Sequence, residues 1–270
     1  MFLNSTIFES VPLLLLLPTT STISSSSSRS SSTSPVWTNI LTSFAMFCCY
    51  KVAIEVSCFL RKRNAIEQPN TRNVLQLFFS FSTVVFWPYF DTSCSWSSWV
   101  LPALLPIVVM GRLIYKGLLV GDATDVETQN YSMSGSSTEL LFGPLLLAGV
   151  FVWLTLYRFM TDEAAIIMAA SFGDGLAPLL KPFGLHHYQA SPFSRVKTIE
   201  GSIGVFLGTV FACYFNLYMM GLSLLPLRII LVYGGIAAFS EAMSVTNLDN
   251  LITPIMLHLS IERVKELLPP

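Results

Sequence analysis

The chain has 270 residues, 53% of them hydrophobic and only 11% charged, and its mean hydropathy of +0.62 excludes an ordinary soluble domain. A formal net charge of −1 excludes the basic character of a nucleic-acid-binding protein, so no nucleic-acid partner is expected and each charge counts by its position. The expected fold class is all-α, a polytopic integral membrane helical bundle.

The first 34 residues differ from the rest. Leu13 to Leu17 is a leucine run too short to span a bilayer, and 24–34 is serine broken only by Arg29 and Thr33. A disordered segment with a possible targeting role is expected over 1–34, followed by a transmembrane domain over 35–270. In that domain, apolar runs of roughly 17 to 25 residues predict spans near 36–59, 74–91, 98–119, 140–160, 164–180, 201–222 and 226–245. That makes about seven spans, and a short C-terminal half-helix is expected at 251–260. Lys51 and Glu55 fall inside the first span at helical spacing. They predict a neutralised pair on the bundle-facing side, with a part in substrate binding as the alternative. Cys48, Cys49, Cys58, Cys94 and Cys213 form no CxxC pair and no His/Cys cluster, and read as reduced, small apolar residues.

If the chain crosses at every span, segments 60–73, 120–139, 181–200 and 246–250 share one side. That side holds Arg61, Lys62, Arg63, Arg72, Lys181, Arg195 and Lys197, so the positive-inside rule makes it cytoplasmic, or stromal in a plastid. Nucleotides are available there.

Between two of these spans, 173–202 gathers acids, cations and glycines: Gly173-Asp174-Gly175-Leu176-Ala177, then Lys181, Arg195, and Lys197-Thr198-Ile199-Glu200-Gly201-Ser202. Ionisable residues at membrane depth point to function. Phosphoryl transfer needs carboxylates for a divalent cation, cations and backbone N–H groups for phosphate oxygens, and a group to position the attacking hydroxyl. This stretch offers each. Its bland alternative is a turn, a Thr198/Gly201 helix cap and a surface ion pair. Further along, 246–250 follows Glu241 and precedes Pro254, and reads as a broken helix carrying Asp249 and Asn250 as a second metal or hydroxyl ligand group. Arg72 opens the second span, as a phosphate ligand or an interfacial anchor. His186-His187 reads as an ordinary loop pair rather than a metal site.

Gly173-Asp174-Gly175-x-Ala177 with Lys197-Thr198-x-Glu200-Gly201-Ser202 resembles the nucleotide-binding signature of the CTP-dependent polyprenol kinases, the group of dolichol, phytol and farnesol kinases and related to phosphatidate cytidylyltransferases. Thr71-Arg72 leading to Phe86-Trp87-Pro88, Glu139-Leu140-Leu141-x-Gly143-Pro144-Leu145, and Glu241 with Asp249-Asn250 and Pro254 resemble the phytol/farnesol branch in their order. Two positions depart from the family pattern. The loop after Ala177 is one residue shorter at Lys181 to Gly184, and Gln76 stands near where a histidine is common.

The resemblance implies a kinase that transfers the γ-phosphoryl of CTP to an isoprenoid alcohol, phytol first, then farnesol or geranylgeraniol, in a plastid membrane or the endoplasmic reticulum and in the service of tocopherol biosynthesis. It implies Asp174, Glu200 and Asp249 as catalytic and Mg²⁺-holding residues. Gly173, Gly175, Ala177, Lys181, Arg195, Lys197, Thr198, Gly201, Ser202 and Arg72 would bind nucleotide, and Glu139, Glu241 and Asn250 would complete the site. The implied partners are CTP, the alcohol and the lipid bilayer, with the oligomeric state open. Dolichol or diacylglycerol as acceptor, a CDP-lipid-forming cytidylyltransferase, and a non-catalytic homologue remain alternatives.

Overall fold

A proline at the first helical position, where a missing N–H is harmless, opens α1 (Pro35–Lys62), and Arg61 and Lys62 favour its C-terminal dipole. The computed structural model describes residues 34–63, 68–93, 96–122, 125–132, 136–180, 197–245 and 248–268, so the expected N-terminal segment lies outside the described residues. After α1 come α2 (Gln68–Phe86), α3 (Ser97–Ile114), α4 (Val126–Tyr131), α5 (Gly143–Tyr157), α6 (Asp162–Leu180), α7 (Ile199–Met219), α8 (Leu227–Met243) and α9 (Asp249–Leu267). The described residues form an all-α bundle.

Several boundaries differ from the sequence reading. The second expected span begins earlier, because polar Asn70 to Asn73 are helical, and it ends sooner, at the Trp87–Tyr89 3₁₀ turn that contains Pro88. The expected half-helix at 251–260 is a full helix of 19 residues; its second half carries Glu262, Arg263 and Lys265, which hide it from a hydropathy window. Among the described residues, four stretches are long and apolar enough to cross a membrane: Pro35–Lys62, Ser97–Val120, Ser137–Tyr157 and Ile199–Met219. The other long helices, α2, α6, α8 and α9, are shorter or more polar. Lys51 and Glu55 do pair, at 2.9 Å, but on the outer face of α1 with both side chains more than half exposed, not toward the bundle.

The centre is α6. Its residues from Ala164 to Ala170 are all at most 2% exposed, the mark of a helix surrounded on every side. Asn216 of α7 donates to the Ala165 carbonyl at 2.8 Å, and α2 covers another flank of α6. Small residues let α6 and α7 approach almost backbone to backbone. A Cβ on Gly208 would lie 2.8 Å from the Gly173 Cα, and one on Gly204 would lie 2.9 Å from the Ala177 Cα. These small residues recur every four positions on both helices, as in close-packed membrane helix pairs. Gly173-Asp174-Gly175 is therefore continuous helix whose glycines meet neighbouring helices: Gly173 faces Thr209 of α7, and Gly175 faces Leu77 and the Asn73 carbonyl of α2.

Gly208→Ala should lower stability by about 1–3 kcal/mol through overpacking against backbone that has no side chain to move aside. Gly235→Ala, where a Cβ meets nothing within 4 Å, should be neutral or slightly stabilising, and thermal unfolding in detergent compares the two.

Candidate active site

Asp174 sits in α6 just beyond the buried run, Glu241 lies in the last turn of α8, and Asp249 lies in the first turn of α9, where a helix dipole favours an anion. The short α8–α9 connection brings the last two together. One carboxylate oxygen from each of the three acids lies within 4.8 Å of the others. Lys197, at the entry to α7, points into this group: its Nζ is 2.8 Å from Asp249 Oδ2 and also donates to Glu241 Oε1. Its side chain is only 10% exposed. Burial alone would push the Lys197 ammonium down, but Asp249, Glu241 and Asp174 outweigh it and hold the group above its ordinary value.

Next to the acids lies a network of amides. Gln76 of α2 donates from Nε2 to Asp174 Oδ2 at 2.9 Å and to the Ser171 carbonyl at 3.0 Å, with Asn250 Oδ1 at 3.4 Å. Asn250 in turn donates to the Gly143 carbonyl at 3.1 Å. Arg72 lies against Gly143: a Cβ there would fall 2.1 Å from Arg72 Nη2, so the guanidinium would have to move aside. Arg72 is 8% exposed, so it belongs to the interior beside the acids rather than to an exposed anchor position.

Two prolines lie within the helices that carry Asp174 and Asp249. Pro178 lies four residues after Asp174 and Pro254 four after Asn250, both inside helices, so neither carbonyl has its usual i+4 N–H donor. Thr253 lines the same small cavity as the three acids, and its buried hydroxyl has no hydrogen-bond partner. Neither Thr253 nor Ser171 is marked by a motif; only their place one turn from Asn250 and Asp174 reveals them.

The remaining expected residues are placed as follows. Glu200, in the first turn of α7, is not part of the carboxylate group; Glu241 takes the third position, and the Glu200 Oε2 atom is buried without a partner. Thr198 caps α7, its Oγ1 accepting from Gly201 N at 3.2 Å, while Ser202 Oγ donates to the Thr198 carbonyl at 3.4 Å. Gly173 and Ala177 pack against α7. Glu139 lies in the Ser137–Leu141 3₁₀ turn ahead of Gly143. Lys181, Arg195 and the His186-His187 pair lie outside the described residues.

Lys197→Met removes the ammonium from three clustered carboxylates and should destabilise the fold by about 3–5 kcal/mol. Adding Asp249→Asn to that variant should recover part of the loss, because one of the stranded charges goes with it. Thermal unfolding of both variants in detergent checks the pairing.

No protein-family model matches the chain, and no solved structure does. Among curated proteins it is similar to phytol kinase 1, chloroplastic, of Arabidopsis thaliana, with 26% identity over 162 residues, 59% of this chain and 51% of that protein. It is also similar to the probable phytol kinase 2, chloroplastic, of Oryza sativa subsp. japonica, with 28% identity over 151 residues, 55% of this chain and 48% of that protein. The chain thus spans about half the length of the curated relatives it matches. The relatives and the motifs point to the same branch, the phytol kinases.

Proposed function

We propose that the protein is a CTP-dependent kinase of an isoprenoid alcohol, with phytol as the first candidate acceptor, acting in a plastid membrane. The observation that carries this reading is the cluster of Asp174, Glu241 and Asp249 around Lys197, set in a chain similar to two proteins named as chloroplastic phytol kinases. The donor set fits Mg²⁺: three hard carboxylate groups stand within 4.8 Å of one another, and the unpartnered Thr253 hydroxyl lines the same space. Asp174, Glu241 and Asp249 would hold the ion. When bound, it draws negative charge from the phosphate oxygens.

The chain's own residues supply the rest. Lys197, whose ammonium stands among the acids, would also neutralise a phosphate oxygen brought to them. Arg72 offers a planar fork to a second phosphate oxygen. In the transfer, the alcohol oxygen bonds to the γ-phosphorus as the bond from phosphorus to the β–γ bridging oxygen breaks; CDP departs, and the hydroxyl proton passes to a carboxylate of the trio. Gln76 holds the Asp174 carboxylate in one orientation by its 2.9 Å hydrogen bond, so the departure from the family's histidine supplies a positioning group, not a base. Most of the barrier lowering comes from positioning and charge.

Membranes expressing the protein should transfer label from γ-labelled CTP to phytol in preference to dolichol and diacylglycerol, with α-labelled CTP leaving the lipid unlabelled. Label arriving from the α position would mean a cytidylyltransferase instead. Asp174→Asn should reduce transfer by about a hundredfold or more. Chelation of divalent cations should abolish it, and added Mg²⁺ should restore it. No transfer to any alcohol with folded protein and Mg²⁺ present would sink the proposal.

A further inference from the structure

Two cavities lie side by side in the bundle, the inner one along α2 beside α1, α3 and α5 and the outer one between α1 and α3. The inner one holds about 360 Å³ of empty space and has Arg72, Gln76 and Asn250 at one end and Leu75, Phe79 and Leu147 along its walls. The outer one, of about 490 Å³, lies between α1 and α3 and is lined by Phe47, Ile54, Leu105 and Val108. Tyr50, Val109, Leu113 and Tyr131 line both and so form the partition between them. The Tyr50 and Tyr131 hydroxyls share a 2.8 Å hydrogen bond across it, and both rings are 6% exposed.

We infer that these cavities form one channel for the hydrocarbon tail of the acceptor alcohol, with the Tyr50–Tyr131 pair as its waist. The inference rests on the kinase reading for the identity of the occupant and on the structure for its path. The inner end is polar where the hydroxyl belongs: Gln76 bonds directly to Asp174, and Asn250 follows Asp249 in the chain. Beyond that end, the walls are aliphatic and aromatic. The outer end lies between two helices long and apolar enough to cross a membrane, which is where a lipid-borne alcohol arrives. Lys51, Arg112 and Lys116 stand at this mouth; Lys51 is paired with Glu55 and Lys116 with Asp125, so the charges there are largely met. The competing groove between α5 and α9, with about 680 Å³ of empty space, is the larger, but it shares only the apolar Pro254 with the acid cavity, whereas the inner cavity shares Asn250 and carries Gln76, which bonds to Asp174.

A prenol of four isoprene units carrying a diazirine at its tail end, irradiated in membranes containing the full chain, should label α1 and α3 residues of the outer cavity, such as Phe47, Ile54 or Leu105, and unmodified prenol should compete the label away. Label on α5 and α9 instead, around Leu146, Trp153 or Ile255, or label that does not compete, overturns the channel. Phosphorylation of unmodified alcohol by the same membranes reports separately on the chemistry: competed label in the channel without product would end the kinase reading and leave the tail site standing. Val108→Trp, at a position 46% exposed where the added ring has room outside the core, narrows the outer cavity. It should lower competition by the four-unit prenol relative to a two-unit prenol about tenfold. Gly149→Leu, which projects into the α5–α9 groove where a Cβ meets nothing within 4 Å, should leave that ratio unchanged. An equal loss for both alcohols in Val108→Trp, or a shift of the ratio in Gly149→Leu, overturns the inference.

Discussion

A lysine surrounded by three acids is the interaction that organises the site. Taking carboxylates out of water is unfavourable by several kcal/mol each unless charge and hydrogen bonds compensate. Lys197 supplies the charge, and its 10% exposure means that the compensation happens with little help from solvent. The ammonium arrives from the entry of α7, Asp174 from α6, Glu241 from α8 and Asp249 from α9. One cation therefore joins the start of α7, the end of α8 and the start of α9 beside Asp174 of α6. Arg72, on α2, brings a second cation to the neighbouring space.

This arrangement depends on how closely α6 and α7 approach. With Gly204 and Gly208 on one helix against Gly173 and Ala177 on the other, the two backbones meet almost directly, so the entry of α7 falls beside Asp174. Larger residues would separate the axes and withdraw Lys197 from its partners. The glycines of the motif thus place the charged side chains by bringing helices together. The helix cap of Thr198 then fixes where α7 begins.

The apolar runs in the sequence locate most of the long helices, because a helix surrounded by lipid or by other helices has to be continuously apolar. They mislead where the helices turn polar. The start of α2 reads as a loop because Asn70 to Asn73 are polar, and the end of α9 is hidden by Glu262 to Lys265. Asp174, Lys197 and Asp249 are visible from sequence because acids and a lysine stand out beside apolar spans. The position of Glu241 is visible as well, but its partnership is not: it meets Lys197 across 44 positions of the chain, and Glu200, three residues from Lys197, does not join the group. Separation along the sequence says nothing about which of two nearby acids a lysine reaches. Gln76 stands out in sequence only as a departure from a pattern, yet in the fold it connects three helices.

That connection is uneven. The Gln76 nitrogen carries two hydrogens and faces three acceptors, at 2.9, 3.0 and 3.4 Å. The two short contacts both go to α6, and the long one goes to Asn250 on α9. As a mechanical joint, the amide is stiff toward α6 and slack toward α9. Asp249 stands on the slack side and is held there by Lys197, so charge fastens one wall of the site and an amide fastens the other.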